Sequence, residues 1–170
     1  MSCETVTRST TAQTAGTLVV NVAGEDRRFI HAVGANAEFT GRELSPAAIR
    51  DSRAIYVGGI GLNPALTGEN VAEVFRTAHA AGAVTVLDVV VGDPHILPAM
   101  LAAALPETDL FLPNIDEARA ICGLETPLEQ ARHFRELGAK TVVITLGGGG
   151  AVVMDADDAL TAAAYPVDCV

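Results

Sequence analysis

Asn114 and Glu117 stand three residues apart just after the predicted strand 109–112, and Thr145 opens the glycine-rich segment 145–150, TLGGGG. An amide and a carboxylate so placed can face one edge of a sheet, and open α/β sheets bind their ligands just beyond the carboxyl ends of the strands. Glycines at a second strand end let the backbone approach a ligand and take positive φ without a Cβ clash. The chemistry to weigh is therefore ligand binding at a sheet edge. Each element also has a plainer reading. Asn114 can cap the following helix with Glu117 complementing its dipole, and 145–150 can be a tight turn, since 151–154 continues as strand. Two common phosphate-binding fingerprints fail. A Walker loop needs G-x-x-x-x-G-K-[ST] opening a helix, and neither the lysine nor the helix follows Gly150. The pair Gly59 and Gly61 misses the dinucleotide pattern, because Pro64 takes the place of its third glycine.

The elements that must position these residues alternate. Short apolar strands over 16–22 and 27–33 flank the polar connection 23–26 and read as an antiparallel hairpin. From Ser45 the pattern becomes a short helix opened by Ser45 and Pro46, a strand over 54–57, a helix over 68–81 and a strand over 84–91. A helix after Pro94 and a strand over 109–112 follow. The strands are almost wholly apolar, which predicts a mostly parallel sheet with flanking helices, buried on both faces. Thr126, Pro127 and Glu129 mark a helix start in which Glu129 reaches back to the cap's N–H, with Leu128, Ala131, Phe134 and Leu137 on its apolar face. Gly138 stops that helix and 140–146 returns to the sheet.

Composition bounds the rest. The chain has 170 residues, 49% apolar and 19% charged, which fits one compact domain with a real core. No apolar run reaches membrane-spanning length and the N-terminus lacks a signal-peptide pattern, so the cytoplasm is the default compartment. Cys3, Cys122 and Cys169 are too scattered for a disulfide framework or zinc knuckle, and His31, His79, His95 and His133 form no ligand pair. A net charge of −10 and the lack of a basic run argue against nucleic acid as a partner. A nucleotide is not excluded, because backbone N–H groups and Mg²⁺ supply local positive potential.

Taken jointly, the Asn114-x-x-Glu117 element and the Thr145-x-Gly147 turn resemble the ribokinase-like, or PfkB, family of carbohydrate kinases. The strand containing Thr17, the turn 24–26, the strand with Phe29 and Ile30, the segment 34–36, the helix start 44–46 and the strand ending at Gly58 and Gly59 follow the family's order. The resemblance covers residues 14–170, with 1–13 as a loose lead-in. It implies an incomplete ribokinase-like three-layer α/β sandwich plus the antiparallel hairpin. It implies Mg-ATP as cofactor and a sugar or sugar-like molecule as substrate. Asn114 and Glu117 would organise Mg²⁺ through water, which suits an ion that dehydrates reluctantly. Thr145, Gly147 and Gly150 would lie along the nucleotide. Asp88 occupies the place of a family Asp-x-Asn segment in which Val90 replaces the Asn.

The family's catalytic Gly-Ala-Gly-Asp loop does not occur in the chain, and Asp168 does not stand in for it by motif position. The family's N-terminal sugar-holding portion is not present either. The resemblance therefore assigns no catalytic residue here. It predicts a chain that does not catalyse alone and that, with strand edges and apolar faces uncovered, self-associates. The alternative expectation is a non-catalytic nucleotide-binding or oligomerisation module, pairing through the hairpin. An unrelated α/β oxidoreductase would rest only on glycine pairs after strands.

Overall fold

The structure, a computed structural model, describes residues 5–23, 25, 27–156 and 158–167. Strands β1 (Gly16–Val20) and β2 (Arg28–Ala32) form the expected antiparallel hairpin, Gly16 pairing with Ala32 and Val20 with Arg28. Gly24 and Asp26 of the connection lie outside the described residues, as do Cys3, Asp168 and Cys169.

The main sheet follows. Helix α1 (Pro46–Arg50) leads into β3 (Ala54–Ile60), α2 (Gly68–Ala80), β4 (Val84–Val89), α3 (Leu97–Ala104) and β5 (Leu110–Phe111). Then come α4 (Ile115–Cys122), α5 (Pro127–Glu136), β6 (Thr141–Thr145), β7 (Ala151–Asp155) and β8 (Asp158–Ala162). The six strands lie side by side in chain order, parallel from β3 to β6 and antiparallel from β6 to β8. Phe111 and Phe134 meet edge to face at 5.0 Å in the core, the geometry that aromatic quadrupoles favour.

Local sequence explains most boundaries. Thr67 caps α2 by accepting from the Asn70 N–H, and Gly123 ends α4 in the left-handed region that its missing Cβ permits. At α5 two expectations are corrected. Thr126 accepts from the Glu129 N–H, but the Glu129 carboxylate accepts from the Thr126 hydroxyl at 2.6 Å and not from the cap's N–H. The hydroxyl is the nearer donor. Leu128 is exposed, and Gln130 is buried beside Ala131 and Phe134, its amide donating to the Ile115 and Leu124 carbonyls. The Leu124 carbonyl lies in the connection between α4 and α5 and the Ile115 carbonyl in the first turn of α4, and acceptors so placed make a buried amide preferable to an alkyl group there.

The expectation of burial on both faces is also corrected. In β4, Thr85, Leu87 and Val89 are buried while Val84 is half exposed and Val86 and Asp88 are only partly covered. The same alternation runs through β6 and β7, where Val142, Ile144, Val152 and Met154 face inward. Crossovers of one hand, each stepping to the next strand in the same direction, place their helices on one side. Among the described residues, the opposite face presents Tyr56, Val84 and Leu160 to solvent.

At the N-terminal edge of the sheet a polar knot joins four elements. Asp109 accepts from Lys140 Nζ at 2.6 Å, from the Thr85 N–H at 2.8 Å and from His79 Nε2 at 3.0 Å. The Thr85 hydroxyl donates to the Glu107 carbonyl and accepts from the Asp109 N–H. Burial alone would raise the Asp109 pKa, but the Lys140, Thr85 and His79 bonds outweigh it and hold it at about 2, below the ordinary 3.8. A depressed carboxylate stabilises the fold above its unfolded pKa and loses that contribution as it protonates. The chain should lose about 2 kcal/mol as pH falls from 3.8 toward about 2. In Asp109→Asn, urea midpoints measured across that interval should flatten. A second test concerns Gly68, where a Cβ would overlap the Met100 carbonyl oxygen of α3. Backbone cannot rotate aside, so Gly68→Ala should destabilise by about 1–3 kcal/mol despite alanine's roughly 1 kcal/mol advantage over glycine in helices. A lower denaturation midpoint is the readout.

Candidate functional site

Pro113 ends β5 and Asn114 turns the chain into α4. The Asn114 side-chain oxygen accepts from the N–H groups of Asp116 (3.0 Å) and Glu117 (2.8 Å), and Glu117 Oε2 accepts from the Asn114 N–H at 2.9 Å. This is a reciprocal capping box, which satisfies orphan donors of the first turn and locks both side chains. The capping alternative for Asn114 and Glu117 is thus realised, and it leaves atoms over. Asn114 Nδ2 and Glu117 Oε1 make no bond to the protein among the described residues.

Thr145 ends β6 beside this cap. The Thr145 N–H donates to the Pro113 carbonyl at 3.1 Å, and Asn114 and Thr145 form a parallel bridge. The two motifs read separately from sequence therefore meet at neighbouring strand ends, both exposed. The glycine segment is a short 3-10 turn, Gly147–Gly149, closing a hairpin between β6 and β7, so the tight-turn reading also holds. Gly147 has φ +56 with open space where a Cβ would stand, which leaves its backbone approachable. Gly150, at φ +93, is required for another reason: a Cβ there would overlap the Ala162 carbonyl oxygen at the end of β8.

Electrostatics single out Glu117. Burial raises its pKa most; the Asn114 N–H pulls it back, while the charges of Asp88 and Asp116 push it further up. Asp88, from the end of β4, thus lies within electrostatic reach of the cap. Its Oδ1 accepts from the Val89 N–H at 2.8 Å and its Oδ2 from the Tyr56 hydroxyl at 2.6 Å. Tyr56 carried no role in the sequence, because only the β3–β4 register, which pairs it with Val86, reveals its neighbour. No cluster of three or more His, Cys, Asp or Glu able to hold a metal occurs among the described residues.

Residues 2–170 match the model of the pfkB family carbohydrate kinases. Aminoimidazole riboside kinase of Salmonella typhimurium is 26% identical over 165 residues, spanning 92% of this chain and 51% of that protein. Among solved structures, adenosine kinase from Sinorhizobium meliloti superposes with a TM-score of 0.78 at 20% identity, covering 92% of this chain and 49% of that one. Aminoimidazole riboside kinase from Salmonella enterica, complexed with aminoimidazole riboside and an ATP analog, gives 0.67 at 24% identity, covering 84% and 50%. The chain spans about half the length of each. No helix among the described residues is long and apolar enough to cross a membrane. With its fold shared across these kinases and its sequence matched along nearly its whole length, the chain belongs to the PfkB family of carbohydrate kinases.

Proposed function

We propose that residues 14–170 form the nucleotide-side portion of an ATP-dependent sugar or sugar-like kinase, and that these residues bind Mg-ATP without turning it over alone. The observation that carries this reading is the Asn114–Thr145 bridge, which brings the amide, the carboxylate and the glycine turn to one edge. Glu117 Oε1 would accept from water on a nucleotide-bound Mg²⁺, with Asn114 Nδ2 as a neighbouring donor. A dication there would offset both the burial and the Asp88 repulsion that raise the Glu117 pKa. Mg²⁺ when bound supplies charge neutralisation between phosphate oxygens. Thr145 and the Gly147 backbone would line the nucleotide, with Gly150 holding the turn in shape. Transfer itself needs a base and N–H donors around the migrating phosphate, and the Gly-Ala-Gly-Asp segment to which the resemblance would assign those roles does not occur in this sequence. The cytoplasm, where Mg-ATP is supplied, is the compartment this reading requires.

At about a hundredfold excess over Kd, Mg-ATP should stabilise the chain by roughly 2.7 kcal/mol, read as a rise in Tm. Glu117→Gln keeps an acceptor for the capping box but removes the charge. It should melt like the parent without nucleotide and lose most of the Mg-ATP shift. An unmodified chain that shows no shift at saturating Mg-ATP would sink the proposal.

A second reading, a non-catalytic module that also associates, is favoured by the hairpin. Leu18 and Ile30 are cross-strand partners, 61% and 65% exposed, and Phe29 on the other face is 59% exposed. A two-stranded ribbon with both faces wet is marginal by itself, so we propose that a second copy covers it. Light scattering should give a dimer or larger species, reduced toward monomer by Leu18→Lys with Ile30→Glu. A parent chain that is already monomeric at high concentration counts against association.

A further inference from the structure

Tyr56 is an exposed tyrosine with an unusually committed hydroxyl. Its ring lies along β3 over Gly58, where a Cβ would come within 2.6 Å of Cε1 and 3.0 Å of the hydroxyl oxygen. Only glycine at 58 leaves room for this pose. The register between β3 and β4 shifts just beyond, between Val57 and Ile60, with Gly59 at φ +71. The ring therefore runs toward the carboxyl end of the sheet, and its hydroxyl reaches Asp88 Oδ2 at 2.6 Å. The residue is 59% exposed, so water could serve that hydroxyl equally well. The short bond to a carboxylate is instead a charge-assisted one. It fixes a side chain that would otherwise rotate, since the remaining Asp88 bond goes only to the adjacent Val89 N–H. The pair pushes the Tyr56 pKa up to about 12, through the Asp88 hydrogen bond first, then burial and the Asp88 charge. Asp88 follows Leu87, whose carbonyl accepts from the Leu112 N–H at 3.0 Å two residues before the Asn114 cap, so its carboxylate stands at the strand end next to that cap, and its charge acts on Glu117.

We propose that Tyr56 is a positioning residue for the metal-nucleotide edge: its hydroxyl, seated over Gly58, holds the Asp88 carboxylate at the end of β4 so that Asp88 and Glu117 act together on the waters of nucleotide-bound Mg²⁺. The inference rests on the Mg-ATP reading above. Its chemistry is that of an outer-shell acceptor oriented by a donor behind it. Val90, two residues beyond Asp88, brings no polar group that could do the same.

The test uses the full chain and measures ADP binding by calorimetry, once with Mg²⁺ and once with chelator, together with the Mn²⁺ spin-resonance signal in the Mn-ADP complex. Tyr56→Phe keeps the ring over Gly58 and deletes only the hydroxyl. It should weaken Mg-ADP binding roughly tenfold, the scale of losing an outer-shell partner, leave metal-free ADP binding unchanged and alter the Mn²⁺ signal. Asp88→Asn should do the same, and the double variant should lose no more than either single one. If Tyr56→Phe binds Mg-ADP like the parent, or loses metal-free binding equally, the positioning role is overturned while the nucleotide reading stands. If the parent chain binds no Mg-nucleotide, both readings fall together.

Discussion

Everything at the candidate site depends on the register between two parallel strands, one of which is only two residues long. The offset that pairs Leu110 with Thr141 and Phe111 with Val142 also sets Asn114 against Thr145. A slip of one residue would turn the Thr145 side chain to the other face and part the two motifs. So short a ladder cannot hold its alignment by backbone bonds alone. The anchor is at the other end, where Asp109 accepts from Lys140 and the Asp109 carbonyl accepts from the Thr141 N–H at 2.9 Å. The polar knot on the opposite edge is thus what aligns the edge that carries Asn114 and Thr145.

The candidate site is built from what capping leaves over. The Asn114 amide oxygen and one Glu117 oxygen are committed to α4, so those side chains cannot swing to meet a ligand without uncapping the helix. That rigidity suits water-mediated contact, in which the protein presents fixed acceptors and the hydrated ion adjusts. Helix capping and the proposed ligand contact are therefore not rival explanations for Asn114 and Glu117, since capping uses only one oxygen of each side chain.

What the sequence made legible was local. Asn114 with Glu117, Thr126 with Glu129, and Gly138 after α5 announce helix ends because their partners lie within one turn, and the apolar strands announce a sheet. What stayed illegible needed a neighbour from elsewhere. Tyr56 and Asp88 meet only through the β3–β4 register. Gln130 carried no role in the sequence, because its partners are the carbonyls of Ile115 in α4 and Leu124 beyond it. The bare sheet face was hidden by composition, since a strand wetted on one side and a strand buried on two can carry the same valines. Even the Glu129 capping error has this character, because a periodicity argument cannot tell a hydroxyl donor from an amide one.

Gly150 carries a mechanical implication. Its missing Cβ lets the chain at Ala162 and Ala163 cross directly against it, leaving no slack between the glycine bend and the outgoing backbone. A side chain at position 150 would therefore have to displace the glycine bend and the backbone leaving β8 together.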